Sequence, residues 1–223
     1  MGWTSENVAT DFNIPRERMD EYALLSHTRA AAAQASGRFD DEMIPFPTIH
    51  ITPAPEGTSD APTVKNVTLT KDDGIRPGST IEALQKLRPA FPQWGDHKTT
   101  AGNSSPVTDG AAAVMLMTRR KAEELGREIL GRHVTTVVVG VPPKHMGVGP
   151  AFAIPKALEK TGLGMEDVDL FEVNEAFASM MVYCIDKLNL PIDKLNVNGG
   201  AMYVAPISHP HCITLMCVRF CDG

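Results

Sequence analysis

The chain has 223 residues, of which 43% are hydrophobic and 22% charged, and its formal net charge is −6. These values are typical of a globular protein with one large domain or two small ones. The negative charge argues against nucleic-acid binding, which requires a basic face. No apolar run reaches the ~18 residues that a membrane-spanning helix requires. We therefore expect neither a nucleic-acid partner nor a membrane partner.

Two helices are predicted at the start of the chain. The first covers Thr4–Phe12 with Thr4 as its N-cap, and the second begins at Pro15 and ends at Gly37. The second helix has one face of apolar and small residues that should be buried against a neighbour. That face consists of Met19, Tyr22, Ala23, Ser26, Ala30 and Ala33.

An irregular segment is predicted over residues 44–92, which are rich in Pro, Gly, Thr and Asp. Short extended pieces occur within it at Thr48–Thr52 and Val64–Leu69. After Trp94 strands and helices alternate. The predicted strands are Ala111–Met117, Val134–Val141, Val168–Val173 and Lys194–Val197. The predicted helices are Arg119–Leu125, Gly149–Lys160 and Glu175–Leu188. This alternation is typical of the α/β class, in which helices cover a mostly parallel sheet.

The segment Val168–Phe177 is the strongest candidate for a functional site. Its predicted strand ends at Asn174 and Glu175, where a helix is predicted to begin. Open α/β sheets place their ligands at this end of a strand. The alternative is structural, because Asn is also a favoured N-cap residue and Asn174 could simply begin the helix.

The cysteines and the C-terminal histidines are candidates for a disulfide or metal site. Three of the four cysteines lie at or beyond position 212. A disulfide framework would be spread out, so a reducing compartment is predicted. A C-terminal set could in principle hold a metal: His209, His211, Cys212, Cys217 and Cys221. Its spacing matches no common zinc pattern, and we predict no metal site.

Seven short motifs occur in a fixed order along the chain. They are Met1-Gly-x-Thr-Ser-Glu-Asn-Val8, Asp72-Asp-Gly-Ile-Arg-Pro77, Pro89-Ala-Phe91, Thr100-Ala-Gly-Asn-Ser-Ser105 with Asp109-Gly-Ala-Ala112, Met146-Gly-Val-Gly-Pro150, Asn174-Glu-Ala-Phe177 and Asn196-x-x-Gly-Gly200. With this series the chain resembles the thiolases, and most closely the peroxisomal type of 3-ketoacyl-CoA thiolase. Condensing enzymes and lipid carriers of the same fold are a further possibility. The Asn-Glu-Ala-Phe motif together with an insertion domain favours thiolases over the condensing enzymes.

The resemblance implies a partial thiolase-like α/β fold. Residues 1–98 would form the loop domain that thiolases insert into their first core half, and 99–126 a remnant of that N-terminal half. Residues 127–201 would form an incomplete C-terminal core half, and 202–223 a tail that departs from the family pattern. The opening strands of the first half have no counterpart, so we expect unpaired sheet edges and an open apolar face.

The resemblance also implies a reaction. In thiolases a cysteine thiolate attacks a 3-ketoacyl-CoA, acetyl-CoA leaves, and CoA takes up the shortened acyl group; a thiolate nucleophile divides the transfer into two easier steps. Asn174 would position a water that helps to hold the thioester oxygen as it becomes an oxyanion, and one such donor is worth about 100–1000-fold in rate. CoA is then a substrate, and no cofactor is expected.

The resemblance assigns several residues to the CoA site. Ser105 would touch the pantetheine arm beside Ala101, and Ser105 is expected at the head of a helical turn that follows Gly102. The apolar slot would be lined by Met1, Phe91, Met146 and Phe177. From residue type alone, an ordinary hydrophobic core is the favoured interpretation of these four.

The chain departs from the family at its catalytic groups. The nucleophilic cysteine is absent, and Cys184 lies in a helical pattern predicted to be buried. His209, followed by a proline, comes late relative to the Gly-His-Pro motif of the family and lacks the glycine. We therefore expect the chain itself to be inactive. The alternative is a non-catalytic CoA-binding module, or a partner of a complete thiolase. By resemblance a homo-oligomer in peroxisomes is expected; neither terminus carries a targeting signal, and the location is otherwise cytoplasmic.

Overall fold

The computed structural model describes residues 1–54, 61–72, 74–75, 77–107 and 110–202. Its α-helices are α1 (Gly2–Asp11), α2 (Arg16–Ala35), α3 (Ile81–Gln85), α4 (Arg119–Glu124), α5 (Pro150–Thr161) and α6 (Ala178–Leu188). Short 3-10 helices cover Pro143–Val148 and Ile192–Lys194, and two strands are β1 (Phe46–Thr52) and β2 (Thr63–Leu69). All five predicted helices are present, with end positions that differ by a few residues.

Helix α1 begins two residues before its predicted start. The Thr4 backbone N–H donates to the Met1 carbonyl at 3.0 Å, and the Thr4 hydroxyl donates to the same oxygen at 2.7 Å. The helix therefore starts at Gly2, and Met1 stands at its N-cap. The prediction of Thr4 as N-cap was wrong, because its hydroxyl bonds backwards to a carbonyl and does not cap an amide.

Helix α2 lies at the centre of the fold and buries the face that the sequence predicts. All six predicted residues are buried, and Asp20 and His27 are buried beside them. The helix packs against α3 and α6. Gly37 follows its end at φ +71°, which is the left-handed conformation of a helix terminus. Polar residues on this face are the first indication that α2 supports a site.

The strands β1 and β2 form an antiparallel hairpin, in register from Phe46 opposite Leu69 to Thr52 opposite Thr63. The two predicted extended pieces are thus present and pair with each other. Ile49 is 55% exposed, and no residue of the hairpin belongs to the hydrophobic core. The hairpin lies within residues 44–92, where an irregular segment with short extended pieces was predicted.

The segments 111–117 and 134–141 have no regular secondary structure and are not strands, so these two predictions were wrong. β-branched and apolar composition favours extended backbone, yet a strand needs a neighbour for its amides. No described residue pairs with either segment in a ladder. Val114 is 84% exposed and Val138 is 82% exposed. Apolar side chains are therefore exposed in both segments.

Two side chains of helix α5 hydrogen-bond to backbone carbonyls of the segment 134–141, which has no paired strand among the described residues. The Lys156 ammonium donates to the Val138 carbonyl at 2.9 Å, and the Lys160 ammonium donates to the Thr136 carbonyl at 3.0 Å. The two lysines are one turn apart on α5, and the two carbonyls are two residues apart in the segment 134–141. Cationic side chains therefore hold the backbone of 134–141 against the helix.

The predicted strands 168–173 and 194–197 are reduced to one parallel bridge, Phe171 opposite Leu195. The Phe171 N–H donates to the Lys194 carbonyl, and the Asn196 N–H donates to the Phe171 carbonyl, both at 2.8 Å. The next pairing positions are taken by a side chain. The Asn196 amide accepts from the Val173 N–H at 2.7 Å and donates to the Val173 carbonyl at 2.8 Å. The direction of pairing was predicted correctly, and its extent was not.

The core lies where α1, α2, α5 and α6 surround this bridge. Its largest fully buried apolar side chains are Phe171, Met19, Met181, Leu195 and Met202. Helix α6 begins at Ala178 and not at the predicted Glu175, because Ala176 and the extended Phe177 pair with residues 104 and 105. Among the described residues, no helix is long and apolar enough to cross a bilayer.

Candidate functional site

Two backbone segments meet at the candidate site. Ser104 forms an antiparallel bridge with Phe177. On either side of it the Ser105 N–H donates to the Ala176 carbonyl at 3.0 Å, and the Ala178 N–H donates to the Asn103 carbonyl at 2.9 Å. The structure therefore brings the neighbourhood of Ser105 onto the segment that carries Asn174. Ser105 lies in an extended pairing and not at the head of a helical turn, which corrects that expectation.

The extended segment 171–177 has two distinct faces. Phe171, Val173, Glu175 and Phe177 are buried, and the residues between them are half-buried. This period of two is the geometry of a strand, in which successive side chains point to opposite faces. Asn174 is on the half-buried face and makes no side-chain hydrogen bond to any described residue. Phe177 is the N-cap of α6, so Asn174 does not cap the helix.

Glu175 is on the opposite face and is fully buried. Its Oε1 accepts from the Tyr22 hydroxyl at 2.7 Å and from the Asn196 amide at 2.8 Å. Its Oε2 accepts from the Ser26 hydroxyl at 2.6 Å and from the Met202 N–H at 3.2 Å. All four partners are donors, which suits the acceptor-only inventory of a carboxylate. Sequence reasoning missed this network, although polar residues four apart on an apolar helix face were a signal for it.

The buried carboxylate changes the titration of its neighbours. Burial, followed by the negative charge of Glu175, raises the pKa of Tyr22 well above its ordinary value. Burial also raises the pKa of Glu172 to about 7, with further contributions from the charges of Glu175 and Glu42. Glu172 and Asn174 share the half-buried face of the segment. A carboxyl that is partly protonated near neutral pH therefore stands beside the candidate amide.

The turn that leads into Ser105 is fixed by two buried carboxylates. Glu6 on α1 accepts from the Thr99 N–H at 2.6 Å and from the Lys98 N–H at 3.2 Å. Asp20 on α2 accepts from the Asn103 amide at 2.9 Å, while Asn103 accepts from the Thr100 N–H at 2.8 Å.

His27 on α2 adds a contact to the Gly102 carbonyl at 3.0 Å. Both helices therefore hold the backbone of residues 98–103.

Comparison with known proteins gives this geometry a context. The family model "Thiolase, N-terminal domain" matches residues 1–120, and "Thiolase, C-terminal domain" matches residues 127–217. The chain belongs to the thiolase family. The human peroxisomal 3-ketoacyl-CoA thiolase is 53% identical over 211 residues, which cover 94% of this chain and 47% of the relative. The chain spans about half the length of the curated relatives that it matches.

Solved structures give the same result for the fold. The dimeric peroxisomal thiolase of Saccharomyces cerevisiae matches with a TM-score of 0.79 and 45% identity, over 92% of this chain and 48% of that one. The acetyl-CoA acetyltransferase of Bacillus anthracis matches with a TM-score of 0.80 and 41% identity, over 94% of this chain and 49% of that one. The predicted partial α/β thiolase fold is confirmed. The boundaries predicted at 98, 126 and 201 remain predictions.

The apolar residues assigned to a CoA slot lie in different environments in this thiolase chain. Phe177 is buried. Phe91 is partly buried and stacks on Trp94, with ring centroids 5.5 Å apart. Its ring also lies against Gly2, the residue that follows Met1.

Met1 is 68% exposed, and Ala101 is exposed as well. Met146 is 42% exposed in the 3-10 helix that packs on α1 and α6. The structure places Phe91 against Gly2, the residue after Met1, and the slot remains a prediction.

The nucleophile expected of a thiolase has no counterpart among the described residues. Cys184 on α6 is fully buried, and burial raises the pKa of its thiol to about 12. At neutral pH it is therefore a thiol and not the reactive thiolate. His209 and the three C-terminal cysteines lie outside the described residues, as do Asp73, Arg76 and Asp109 of the motifs. Within the described part of the chain, no group of three or more His, Cys, Asp or Glu side chains could hold a metal ion.

Proposed function

We propose that the chain is the part of a 3-ketoacyl-CoA thiolase that binds the CoA thioester and supplies the oxyanion side of its active site. The whole enzyme would convert a 3-ketoacyl-CoA and CoA into acetyl-CoA and a shortened acyl-CoA in fatty-acid β-oxidation. One observation carries the proposal. The amide of Asn174 lies on a half-buried face, directly before the residues that pair with the segment of Ser105. The match to both thiolase family models supports it.

The chemistry requires a fixed donor at this position. A thiolate adds to the 3-keto carbon, the bond between carbons 2 and 3 breaks, and its electron pair leaves as the enolate of acetyl-CoA, which takes up a proton. CoA thiol then displaces the shortened acyl group from the enzyme sulfur. Negative charge develops on an oxygen in both steps, and a preorganised amide or a water held by it stabilises that charge. Asn174 lies between Val173, which bonds to the Asn196 side chain, and Ala176, whose carbonyl accepts from Ser105, and this makes the segment a rigid support for the task.

The attacking thiolate would have to come from outside residues 1–202, because Cys184 is buried and protonated. We propose that the purified 223-residue chain binds CoA and acetyl-CoA without cleaving acetoacetyl-CoA. CoA acts here as a substrate, and no cofactor is required.

The test has two readouts on the same preparation. Calorimetric titration with CoA should show saturable binding, and chromatography should detect no acetyl-CoA after incubation with acetoacetyl-CoA and CoA. Ser105→Trp should abolish binding, while Asn174→Ala should retain it, since the amide faces the thioester and not the pantetheine arm. Turnover by the chain would refute its inactivity, and absence of CoA binding would refute the proposed site.

A second candidate function is that of a non-catalytic partner of another thiolase chain. The exposed apolar segments 111–117 and 134–141 favour it, since a monomeric protein seldom leaves such a surface uncovered. One structural relative is described as dimeric, which fits an oligomer. Size-exclusion chromatography with light scattering should show the chain as a dimer, or in a complex with a co-expressed complete thiolase; a monomer in both experiments would exclude this function.

The curated relatives are peroxisomal thiolases, and we propose the same location for this chain. Fluorescence microscopy of the tagged product of the native gene should show overlap with a peroxisomal marker. A diffuse signal would contradict the proposal.

A further inference from the structure

We propose that Glu175 is a positioning residue for the thiolase reaction, which holds the backbone of residues 173–175 so that the Asn174 amide points to the thioester oxygen. This inference rests on the proposed function, because the role of Asn174 is assigned there. Glu175 itself touches neither substrate nor reacting atoms.

The first support is the geometry of the extended segment. Successive side chains of a strand point to opposite faces, so fixing the side chain of Glu175 on one face fixes the direction of Asn174 on the other. Val173 is fixed as well, because its N–H and carbonyl both bond to the Asn196 side chain at 2.7 and 2.8 Å. Asn174 therefore sits between two residues whose orientations are determined on both sides.

The second support is that Glu175 joins its own segment to two other parts of the chain. Tyr22 and Ser26, one turn apart on α2, each donate a hydroxyl to it. Asn196 and the Met202 N–H donate from the segment that follows α6. The position of Asn174 is thus set relative to both α2 and residues 196–202.

Two glycines make this close approach possible. A Cβ on Gly200 would collide with the Glu175 carboxyl group, and a Cβ on Gly199 would lie 2.5 Å from the Ala30 nitrogen of α2. Gly199 also has φ +79°, which favours glycine. The two glycines of the Asn196-x-x-Gly199-Gly200 motif therefore leave the space that the Glu175 carboxyl group and the backbone of α2 occupy.

The third support is the chemistry of the carboxylate. Each oxygen faces one hydroxyl, which can rotate, and one N–H, which can only donate. A glutamine would turn its own NH2 towards an N–H donor whichever way it is oriented. No lysine, arginine or histidine pairs with Glu175 among the described ion pairs. A buried charge without a cation is a costly way to fill space, which favours a directional role over simple packing.

The experiment follows the side-chain amide of Asn174 by 15N NMR in the 223-residue chain without ligand. The signal is assigned by its loss in Asn174→Asp. In Glu175→Gln it should shift and broaden, and in Tyr22→Phe, which removes one donor and keeps the charge, it should shift less. Tyr183→Phe is the control, because it removes a hydroxyl from a half-buried tyrosine that packs on Phe12 and is not among the donors to Glu175. It should leave the Asn174 signal unmoved. The side-chain signal of the exposed Asn66 should stay unmoved in every spectrum.

Two outcomes decide the inference. Displacement of the Asn174 signal by Glu175→Gln and Tyr22→Phe, but not by Tyr183→Phe, supports it; if Glu175→Gln does not fold, Tyr22→Phe alone decides. An Asn174 signal that stays in place while the Asn196 amide shifts would make Glu175 merely structural. Adding acetyl-CoA to the wild-type chain then tests the proposed function separately. If the Asn174 signal does not respond, the proposed function fails, whatever the ligand-free spectra show.

Discussion

Replacing Asn196 by alanine tests the network beneath the candidate site. Asn196 is 2% exposed, and its side chain satisfies the Val173 N–H and carbonyl and donates to Glu175. Alanine would leave two buried backbone groups without partners and would remove one of four donors from a buried carboxylate. It would also stand at φ +44°, in the left-handed region.

The magnitude follows from these losses. An unsatisfied buried polar group costs about 1–3 kcal/mol, and alanine in the left-handed conformation costs about 1–2 kcal/mol. Allowing for partial relaxation and water entry, we expect Asn196→Ala to lower the free energy of unfolding by about 3–5 kcal/mol. That is a large fraction of the roughly 5–15 kcal/mol that stabilises an ordinary domain.

The assay is urea unfolding followed by circular dichroism, with Asn189→Ala as the matched control. Asn189 ends α6 at φ +50°, and it is exposed. Its replacement therefore carries the same backbone penalty without the buried hydrogen bonds. We expect a loss of about 1 kcal/mol for the control. If both variants lost the same stability, the side-chain bridge of Asn196 would not hold the segment, and the reasoning would be refuted.

Three further predictions concern packing, pH and reactivity. Gly199→Ala should destabilise the chain by more than about 3 kcal/mol, because the new Cβ would collide with the α2 backbone. The control Gly162→Ala, at φ +71° with no atom nearby, should cost only about 1 kcal/mol. Equal losses of unfolding free energy in urea would contradict the close packing of Gly199 on α2. The raised pKa of Glu172, about 7 when folded against 4.5 as the ordinary value, means that the folded state binds the proton more tightly. The stabilisation from this group is therefore complete below about pH 4.5 and is lost as pH rises through about 7, by about 1–3 kcal/mol after discounting for partial exposure. Glu172→Gln should remove this fall in the free energy of unfolding between pH 4.5 and 7. An unchanged pH dependence in the variant would exclude Glu172 as its source. Cys184 should resist iodoacetamide in the native state and react after unfolding, as peptide mass spectrometry can show; rapid native labelling would contradict its burial.

The sequence was most informative where local pattern and tertiary packing agree. The buried face of α2 was predicted residue by residue because helical periodicity survives in any environment. The segments 111–117 and 134–141 show the opposite case. Their composition favours strands, but a strand forms only where a neighbouring segment pairs with it, and that segment can lie far away in the sequence. The Phe171 bridge was shortened by the side chain of Asn196, which no periodicity reveals.

The sequence indicated the candidate site residues but not the residues that hold them in place. Asn174 was a candidate because it follows a predicted strand, and Ser105 was a candidate because of the family resemblance. The donors to Glu175 are contributed by α2 and by residues 196–202, about 150 and 20 positions away from it. Single-sequence patterns report neighbours three or four residues apart, so contacts of this range require the fold.

A crystal structure of the chain with acetyl-CoA bound would test the central claim most directly. The pantetheine arm should lie along residues 103–105, and the thioester oxygen should approach Asn174, directly or through one water at about 3 Å. Acetyl-CoA bound elsewhere, with Asn174 and Ser105 untouched, would contradict it.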